Sequence, residues 1–236
     1  MYFQINKIMK KQILVLLISL LSISAIASEQ EFKVNDFVSV NILGNYKVSL
    51  IKSDVNKVKV INNDSDVEDE NIIVENEGSE LIVKLKKDTY QKRDIEFFIY
   101  YKEIFTIKAR RGAYVVFKEK VETESVNIEV YSGAEIEMDL DVETANFTIK
   151  NGGSIDVKGH CENSNFYISK GGNISANKLI TETTRAEVLF GGEISIHVTK
   201  SLFAVVKGGG RIIYSGKPKS VTDEIKMGGK IVKLDK

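Results

Sequence analysis

The sequence is poor in the residue types that most often build cross-linked or catalytic sites. Its 236 residues include no tryptophan, one cysteine, one proline and two histidines. A single cysteine excludes an internal disulfide, so packing and hydrogen bonds must hold the fold together. His160 and His197 are the only histidines, so the chain lacks the ligand set of a zinc site. Two histidines also give no support for a Ser-His-Asp or Cys-His catalytic arrangement. We therefore expect no catalytic, cofactor-binding or metal-binding residues, and no cofactor.

The charge balance excludes a further class of partner. The chain carries 33 basic and 33 acidic residues. Residues 1–27 contribute Lys7, Lys10 and Lys11 but no acid, so the chain without them has a net charge of about −3. Proteins that bind nucleic acid need a basic surface to neutralise phosphates. The composition therefore gives no support for nucleic acid as a partner.

The first 27 residues have the pattern of a signal peptide. Lysines precede an apolar run from Ile13 to Leu21, and Ala25-Ile26-Ala27 supplies a cleavage pattern of small residues. Translation could start at Met1 or at Met9, since both leave a basic opening. The apolar run is too short to span a bilayer comfortably, and no later segment could cross one. We predict that the mature chain is exported to the periplasm, the outer-membrane surface or the extracellular space.

A pair of small residues recurs through the second half of the chain. Successive pairs are 18 to 21 residues apart, and each pair is Gly-Gly or Gly-Ala. Self-similarity with a period of about 20 residues is typical of a solenoid, in which each repeat forms one coil stacked on the last. The first members of the pairs, which we interpret as corner glycines, are Gly112, Gly133, Gly152, Gly171, Gly191, Gly209 and Gly228.

Apolar residues keep fixed distances from each pair. One apolar column stands two residues after the second member of the pair. Two more stand four and six residues before it, with polar residues between the columns. Alternation with a period of two, mostly in β-branched residues, predicts a strand on each side of the corner. The sequence thus predicts an all-β fold, a parallel β-helix (β-solenoid) with coils of about 19–20 residues. The column two residues after the pair contains Val115, Ile136, Ile155, Ile174, Ile194, Ile212 and Ile231.

The residue types at the corner also predict its backbone conformation. Glycine always occupies the first position of the pair, as expected where the backbone takes positive φ. The second position accepts Ala113 and Ala134, which we interpret as crowding by the neighbouring coil rather than a forbidden dihedral angle.

The lone cysteine falls on an apolar column. Cys161 lies eight residues after its pair, the position of Val121, Val142 and Ile180 in other repeats. This favours a small buried side chain. The alternatives are a catalytic thiol, or a metal ligand together with His160.

Residues 28–104 are strand-rich but lack the glycine pair. An open solenoid end would leave a bare sheet edge, so we predict that these residues form irregular β coils and a cap. Residues 105–236 form the regular coils, and residues 28–236 make one continuous domain. The acidic segment from Asp64 to Glu70 is either a solvated loop or a calcium site, although it lacks the central glycine and distal glutamate of an EF-hand loop.

Three stretches of the sequence resemble one protein family. They are Gly208 to Pro218, Phe37 to Val48, and Gly112-Ala113-Tyr114-Val115. Together they make the chain similar to the head GIN-domain family, auto-transporter adhesins of Bacteroidetes-type bacteria, over roughly residues 32–235. The resemblance implies a single-stranded right-handed β-helix and supplies no catalytic residues. Lys233 departs from the pattern, because it occupies an inward column of the last repeat.

The outward positions beside the corners are the candidate surface for function. We expect a non-catalytic exported binding or scaffold module, adhesin-like, whose partner is a glycan or a cell-envelope component; homo-oligomerisation stays open. The alternative is a protein that binds or cleaves polysaccharide. Cleavage needs converging carboxylates, whereas Glu135 and Glu193 lie three coils apart, about 14 Å. The candidate surface residues are Tyr114, Glu135, Asn173, Glu193 and Arg211, and Tyr131 and Tyr167 are further outward tyrosines.

Overall fold

A computed structural model describes residues 28–87 and 90–234. Seventeen strands join in one hydrogen-bonded sheet, and the only helical element in these two ranges is a 3₁₀ turn, Asp69–Asn71. No helix in this part of the chain has the length and apolar character needed to cross a membrane. The predicted signal peptide lies outside the described residues.

The strands lengthen and shorten again along the chain. The first nine are β1 (Ser28–Lys33), β2 (Ser39–Leu43), β3 (Lys47–Lys52), β4 (Lys57–Asn62), β5 (Ile72–Glu77), β6 (Glu80–Leu85), β7 (Ile95–Tyr101), β8 (Thr106–Arg110) and β9 (Tyr114–Phe117). Five long strands follow, β10 (Val121–Tyr131), β11 (Glu135–Lys150), β12 (Ser154–Lys170), β13 (Asn173–Phe190) and β14 (Glu193–Val206). The last three are β15 (Arg211–Ser215), β16 (Ser220–Ile225) and β17 (Lys230–Lys233).

The regular part is the predicted β-solenoid. From β11 to β14, each strand runs nearly from one glycine pair to the next and pairs in parallel with the following strand. The coils contain about 19 residues, and the solenoid has about 7 turns. The fold class predicted from the glycine pairs is confirmed.

The apolar columns predicted from the sequence form the core. Register places Ile155, Ile174 and Ile194 in successive coils, and all three are fully buried. On the strand segment before the corner, the rings of Phe147 and Phe166 stack with centroids 5.0 Å apart. Ladders of like side chains one strand spacing apart therefore fill the interior.

The corner glycines differ by position in the pair. The first members have φ between +62° and +93°, as predicted. The second members in Gly-Gly pairs also have positive φ, +105° at Gly192, where a Cβ would lie 2.9 Å from the carbonyl oxygen of Gly172. The expectation that only crowding acts there is therefore wrong, since crowding and dihedral angle act together. The residue before the pair also has positive φ in three coils, at Arg111 and Ser132 before the Gly-Ala pairs and at Asn151 before a Gly-Gly pair.

The N-terminal strands stack in an order that differs from their order along the chain. The β2 strand lies between β6 and β8, and β3 lies between β7 and β9, all in parallel. Outside them, β4 pairs antiparallel with β7, β1 with β4, and β5 with β6. Antiparallel strands cannot continue the parallel coil, so the regular stacking ends here with β1 and β5 as outer strands.

The structure corrects the column assigned to Cys161. Its strand partners are Val142 and Thr181, whereas Val121 pairs with Leu140. Ile180 pairs with His160 and is half exposed. The repeat changes length away from the glycine corner, through a register shift between Asp156 and Lys158 and a short connection between β9 and β10. Equivalent positions therefore differ by one or two residues between coils when they are counted from the corner.

Cys161 is nevertheless fully buried, and its thiol should be unreactive in the folded protein. Burial raises the pKa of this thiol to about 11, so little of the reactive thiolate exists at neutral pH. We expect a thiol reagent to label the purified protein only after denaturant is added. Labelling of the native protein at the rate measured in denaturant would place Cys161 outside the core.

Candidate functional site

The five outward residues proposed from the sequence lie on one line beside the glycine corners. Strand register stacks them about 4.8 Å apart, one residue in each coil. Ser154 occupies the same position in the coil between Glu135 and Asn173. Lys47 precedes the line and Lys230 follows it. We call this set the corner ladder: Lys47, Tyr114, Glu135, Ser154, Asn173, Glu193, Arg211 and Lys230.

The backbone of the coil fixes the direction of the ladder side chains. From Tyr114 onward, each ladder residue directly follows a small-residue pair and precedes a residue of the core, so alternation turns it outward. From Glu135 onward, its amide donates to the carbonyl oxygen of the preceding corner, at 3.0 Å from Glu193 to Gly172 and 2.9 Å from Arg211 to Gly192. The ladder is therefore displayed on a rigid support, as a binding surface requires.

A shallow groove of about 660 Å³ runs beside the C-terminal half of the ladder. Glycine backbone at Gly172, Gly192, Gly210 and Gly229 lines it together with the ladder side chains. A Cβ at each of these four glycines would meet the preceding coils, so the stacking of the coils requires glycine there. The side chains offer both charges and an amide, and the Arg211 guanidinium lies 3.5 Å from the Glu193 carboxylate.

A larger cleft of about 1100 Å³ covers the N-terminal half of the ladder. Ladder residues Lys47, Tyr114 and Glu135 line it, together with a wall made by the loop residues 92–94. Glu96 of β7 also lines it and pairs with Lys47 in the ladder row. The wall is anchored, because the Arg93 amide donates to the Asn45 carbonyl oxygen at 2.8 Å and the Arg93 guanidinium lies 3.5 Å from Asp64. The sequence did not predict this wall, since no periodic pattern marks a loop that folds back over a neighbouring coil.

Tyr114 is held in place by an acid in the cleft. Its hydroxyl donates to the Glu137 carboxylate at 2.7 Å. This hydrogen bond, together with burial, raises the pKa of Tyr114 to about 12, so the hydroxyl stays protonated at neutral pH. A protonated tyrosine fixed at its tip presents one ring face in a constant orientation, which suits stacking against a sugar ring.

Three carboxylates come closer together than the sequence columns suggest. Glu135 and Glu137 face outward two residues apart on β11, a spacing of about 6.6 Å along the strand. Asp156 pairs with Glu137 in the next coil. The three-coil separation of Glu135 and Glu193 therefore does not extend to all outward acids, because Glu137 and Asp156 lie close to Glu135. No group of three His, Cys, Asp or Glu side chains in the described ranges has the geometry to hold a metal ion.

The structure also brings one histidine to a serine. His197 Nδ1 lies 3.0 Å from the Ser215 hydroxyl oxygen, which is itself 3.3 Å from the Ile196 carbonyl oxygen. Either the ring nitrogen or the hydroxyl can donate in this contact, according to the histidine tautomer. Ser215 is buried, and its contact with His197 joins two adjacent coils.

The other two outward tyrosines lie on the strand segments before the corner. Tyr131 is half-buried, with the Arg110 guanidinium 4.5 Å and the Lys150 ammonium 5.4 Å from its ring centroid. Tyr167 is also half-buried, on β12, and its strand partner in the next coil is Glu187. Neither lies in the cleft or the groove.

The acidic segment from Asp64 to Glu70 uses its oxygens within the protein. Asp64 accepts from the Asp66 amide at 3.0 Å and contacts Arg93. Asp69 accepts from Asn62 at 3.0 Å and from the Ser28 hydroxyl, and these hydrogen bonds lower its pKa. These contacts support a loop that braces the cleft wall.

Comparison with known proteins agrees with this architecture. A family model described as "Putative auto-transporter adhesin, head GIN domain" matches residues 36–218. No curated protein matches the sequence significantly.

Solved structures with the same fold include proteins of Bacteroides and Parabacteroides species. A putative adhesin of Bacteroides fragilis superposes with a TM-score of 0.81 at 19% identity, over 89% of this chain and 98% of that one. A putative lipid binding protein of Parabacteroides distasonis gives 0.73 at 18%, over 89% and 97%. A putative adhesin of the same species gives 0.73 at 20%, over 89% and 98%. At these identities the likeness concerns the fold.

Proposed function

The chain belongs to the head GIN-domain family, and on that basis we propose that it is an exported, non-catalytic, adhesin-like module that binds glycan along the corner ladder. The observation that carries this proposal is the cleft over Tyr114. It combines an oriented aromatic ring and two outward carboxylates on rigid strands with the amide side chains of Asn45 and Asn63 between strands.

The chemistry of the cleft favours a neutral, hydroxyl-rich ligand. Lys47 is already paired with Glu96 at 2.9 Å, and Arg93 with Asp64 at 3.5 Å. Of the remaining lining residues, Lys92 is a cation, whereas Asp94, Glu135 and Glu137 are carboxylates, and this acidic surplus disfavours an anionic ligand. Sugar hydroxyls donate and accept hydrogen bonds, and a sugar's C–H face packs on an aromatic ring.

A structural neighbour is titled as a lipid binding protein, and this ligand class is less well supported here. The groove beside the C-terminal half of the ladder is lined by glycine backbone, an asparagine and charged side chains. A lipid acyl chain needs a mainly apolar channel. The corner ladder therefore favours saccharide.

The second candidate function is cleavage of a polysaccharide. The spacing of Glu135, Glu137 and Asp156 favours it, because glycosidases use two carboxyl groups on opposite sides of the scissile bond. These three acids face outward from one flat sheet, and Glu137 already accepts a hydrogen bond from Tyr114. We infer that they hold sugar hydroxyls rather than act as an acid and base pair.

Export is the proposed route to the ligand. The basic, apolar and small-residue pattern of residues 1–27 supports cleavage after Ala27. We expect intact-mass analysis of envelope or secreted fractions to give a chain that begins at Ser28. A protein that retains residues 13–21 would contradict export by cleavage.

A glycan array followed by titration tests the binding proposal. The best neutral polysaccharide should lose about tenfold in affinity on Tyr114→Ala, the effect of removing one stacked ring. The matched control is Tyr167→Ala, which removes a half-buried tyrosine outside the cleft and should leave affinity unchanged. Equal affinity of both variants and wild type would place the ligand elsewhere.

A further inference from the structure

The end of the solenoid formed by β16 and β17 leaves apolar residues open to solvent. All six residues of β16 are exposed. Their neighbours in the preceding coil, such as Leu202 and Val206, are buried. Large exposed hydrophobic residues gather here, namely Val221, Ile225, Met227, Val232 and Leu234, at 37 to 72% exposure. Strand edges with free hydrogen-bonding groups pair with other chains unless something prevents it.

Two interior positions of this coil carry charge. Asp223 pairs with Ala204, which is fully buried, and Lys233 pairs with Tyr214, which packs against the core. An apolar strand added to this edge would bury both charges without a partner. Because a buried, unpaired ion costs several kcal/mol, such additions are disfavoured.

We propose that a second copy of this chain, in reversed orientation, covers this end. A two-fold axis near Gly228 sets β16 antiparallel to β17 of the second copy. The register symmetric about Gly228 places Ile225 against Ile231 of the second copy, and Asp223 against Lys233 of the second copy. Interior positions meet interior positions, as a shared core requires.

Self-complementarity makes this partner specific. A two-fold interface is isologous, so both pairings occur twice. The opposite charges neutralise each other only in the reversed orientation, whereas any strand with apolar or like-charged residues is rejected. On the solvent side, Lys226 is paired with Glu224 at 3.2 Å, which offsets its approach to Lys230 of the second copy.

Charge exchange tests the dimer without reference to any ligand. Sedimentation of the purified wild-type protein over a concentration series should show a monomer–dimer equilibrium. Asp223→Lys or Lys233→Asp alone should weaken the dimer at least tenfold, because like charges then face each other. The double exchange, Asp223→Lys with Lys233→Asp, should restore the wild-type constant. Lys178→Glu, an exposed charge reversal on β13 away from this end, is the control and should have a small effect.

Three results would overturn the proposal. One is a wild-type protein that stays monomeric at every concentration. Another is a double exchange that stays as weak as the single changes. The third is tighter association when Asp223→Ala and Lys233→Tyr copy the preceding coil, since the charges would then block pairing instead of directing it.

Discussion

Replacing Ile174 by Asp is expected to abolish the folded solenoid. Ile174 is fully buried between Ile155 and Ile194, in a column of aliphatic side chains that offers a carboxylate no partner. An unpaired buried charge costs more than about 4 kcal/mol, a large share of the stability of about 5–15 kcal/mol that a domain has. We expect the variant to be insoluble or to show no cooperative thermal transition.

The neighbouring ladder position supplies the control for this change. Asn173 is exposed and next to Ile174 on the same strand, so Asn173→Asp introduces the same charge on the outer face. This variant should stay within about 0.5 kcal/mol of wild type. A soluble Ile174→Asp protein with the wild-type melting temperature would contradict the column assignment.

The second large effect is expected at Gly159, within the long strand β12. Its φ is +114°, and a Cβ there would lie 2.0 Å from the Leu140 carbonyl oxygen, a backbone atom that cannot move aside. Backbone strain and overlap together should make Gly159→Ala about 3 kcal/mol or more less stable. Chemical denaturation of the purified variant measures this difference.

Gly152→Ala is the matched control at a corner. Gly152 also has positive φ, +79°, but no atom lies within 4 Å of the added Cβ. Its cost should be about 1–2 kcal/mol, the penalty of a left-handed backbone alone. Equal losses in both variants would mean that the coil relaxes around Gly159 and that close stacking there is not rigid.

The sequence predicts the regular coils well because their residues repeat for a physical reason. Each corner needs glycine, and each inward position must match the position above and below it. The columns that contain Ile155 and Phe147 could therefore be predicted directly from the sequence repeat. Gly159 was missed because glycine recurs at its position in only one other coil, at Gly216. The Cys161 column was misassigned because coil lengths vary away from the glycine corner.

The N-terminal end shows the limit of sequence periodicity. Strand positions from β2 to β7 follow from alternation, but the insertion of β2 and β3 between later strands does not. Stacking order depends on long-range pairing that a local pattern does not encode. The cleft wall at residues 92–94 has the same origin. The ladder residues could therefore be predicted from the repeat, whereas the cleft above Tyr114 could not.

The most direct test of the central claim combines binding and turnover in one sample. The polysaccharide that binds best is incubated with the purified protein, with and without calcium, and both retention of the polymer and newly formed reducing ends or unsaturated products are measured. We expect retention that is lost in Tyr114→Ala and a polymer of unchanged length. Shortening of the polymer that disappears on Glu137→Gln would contradict the account and assign the cleft to catalysis.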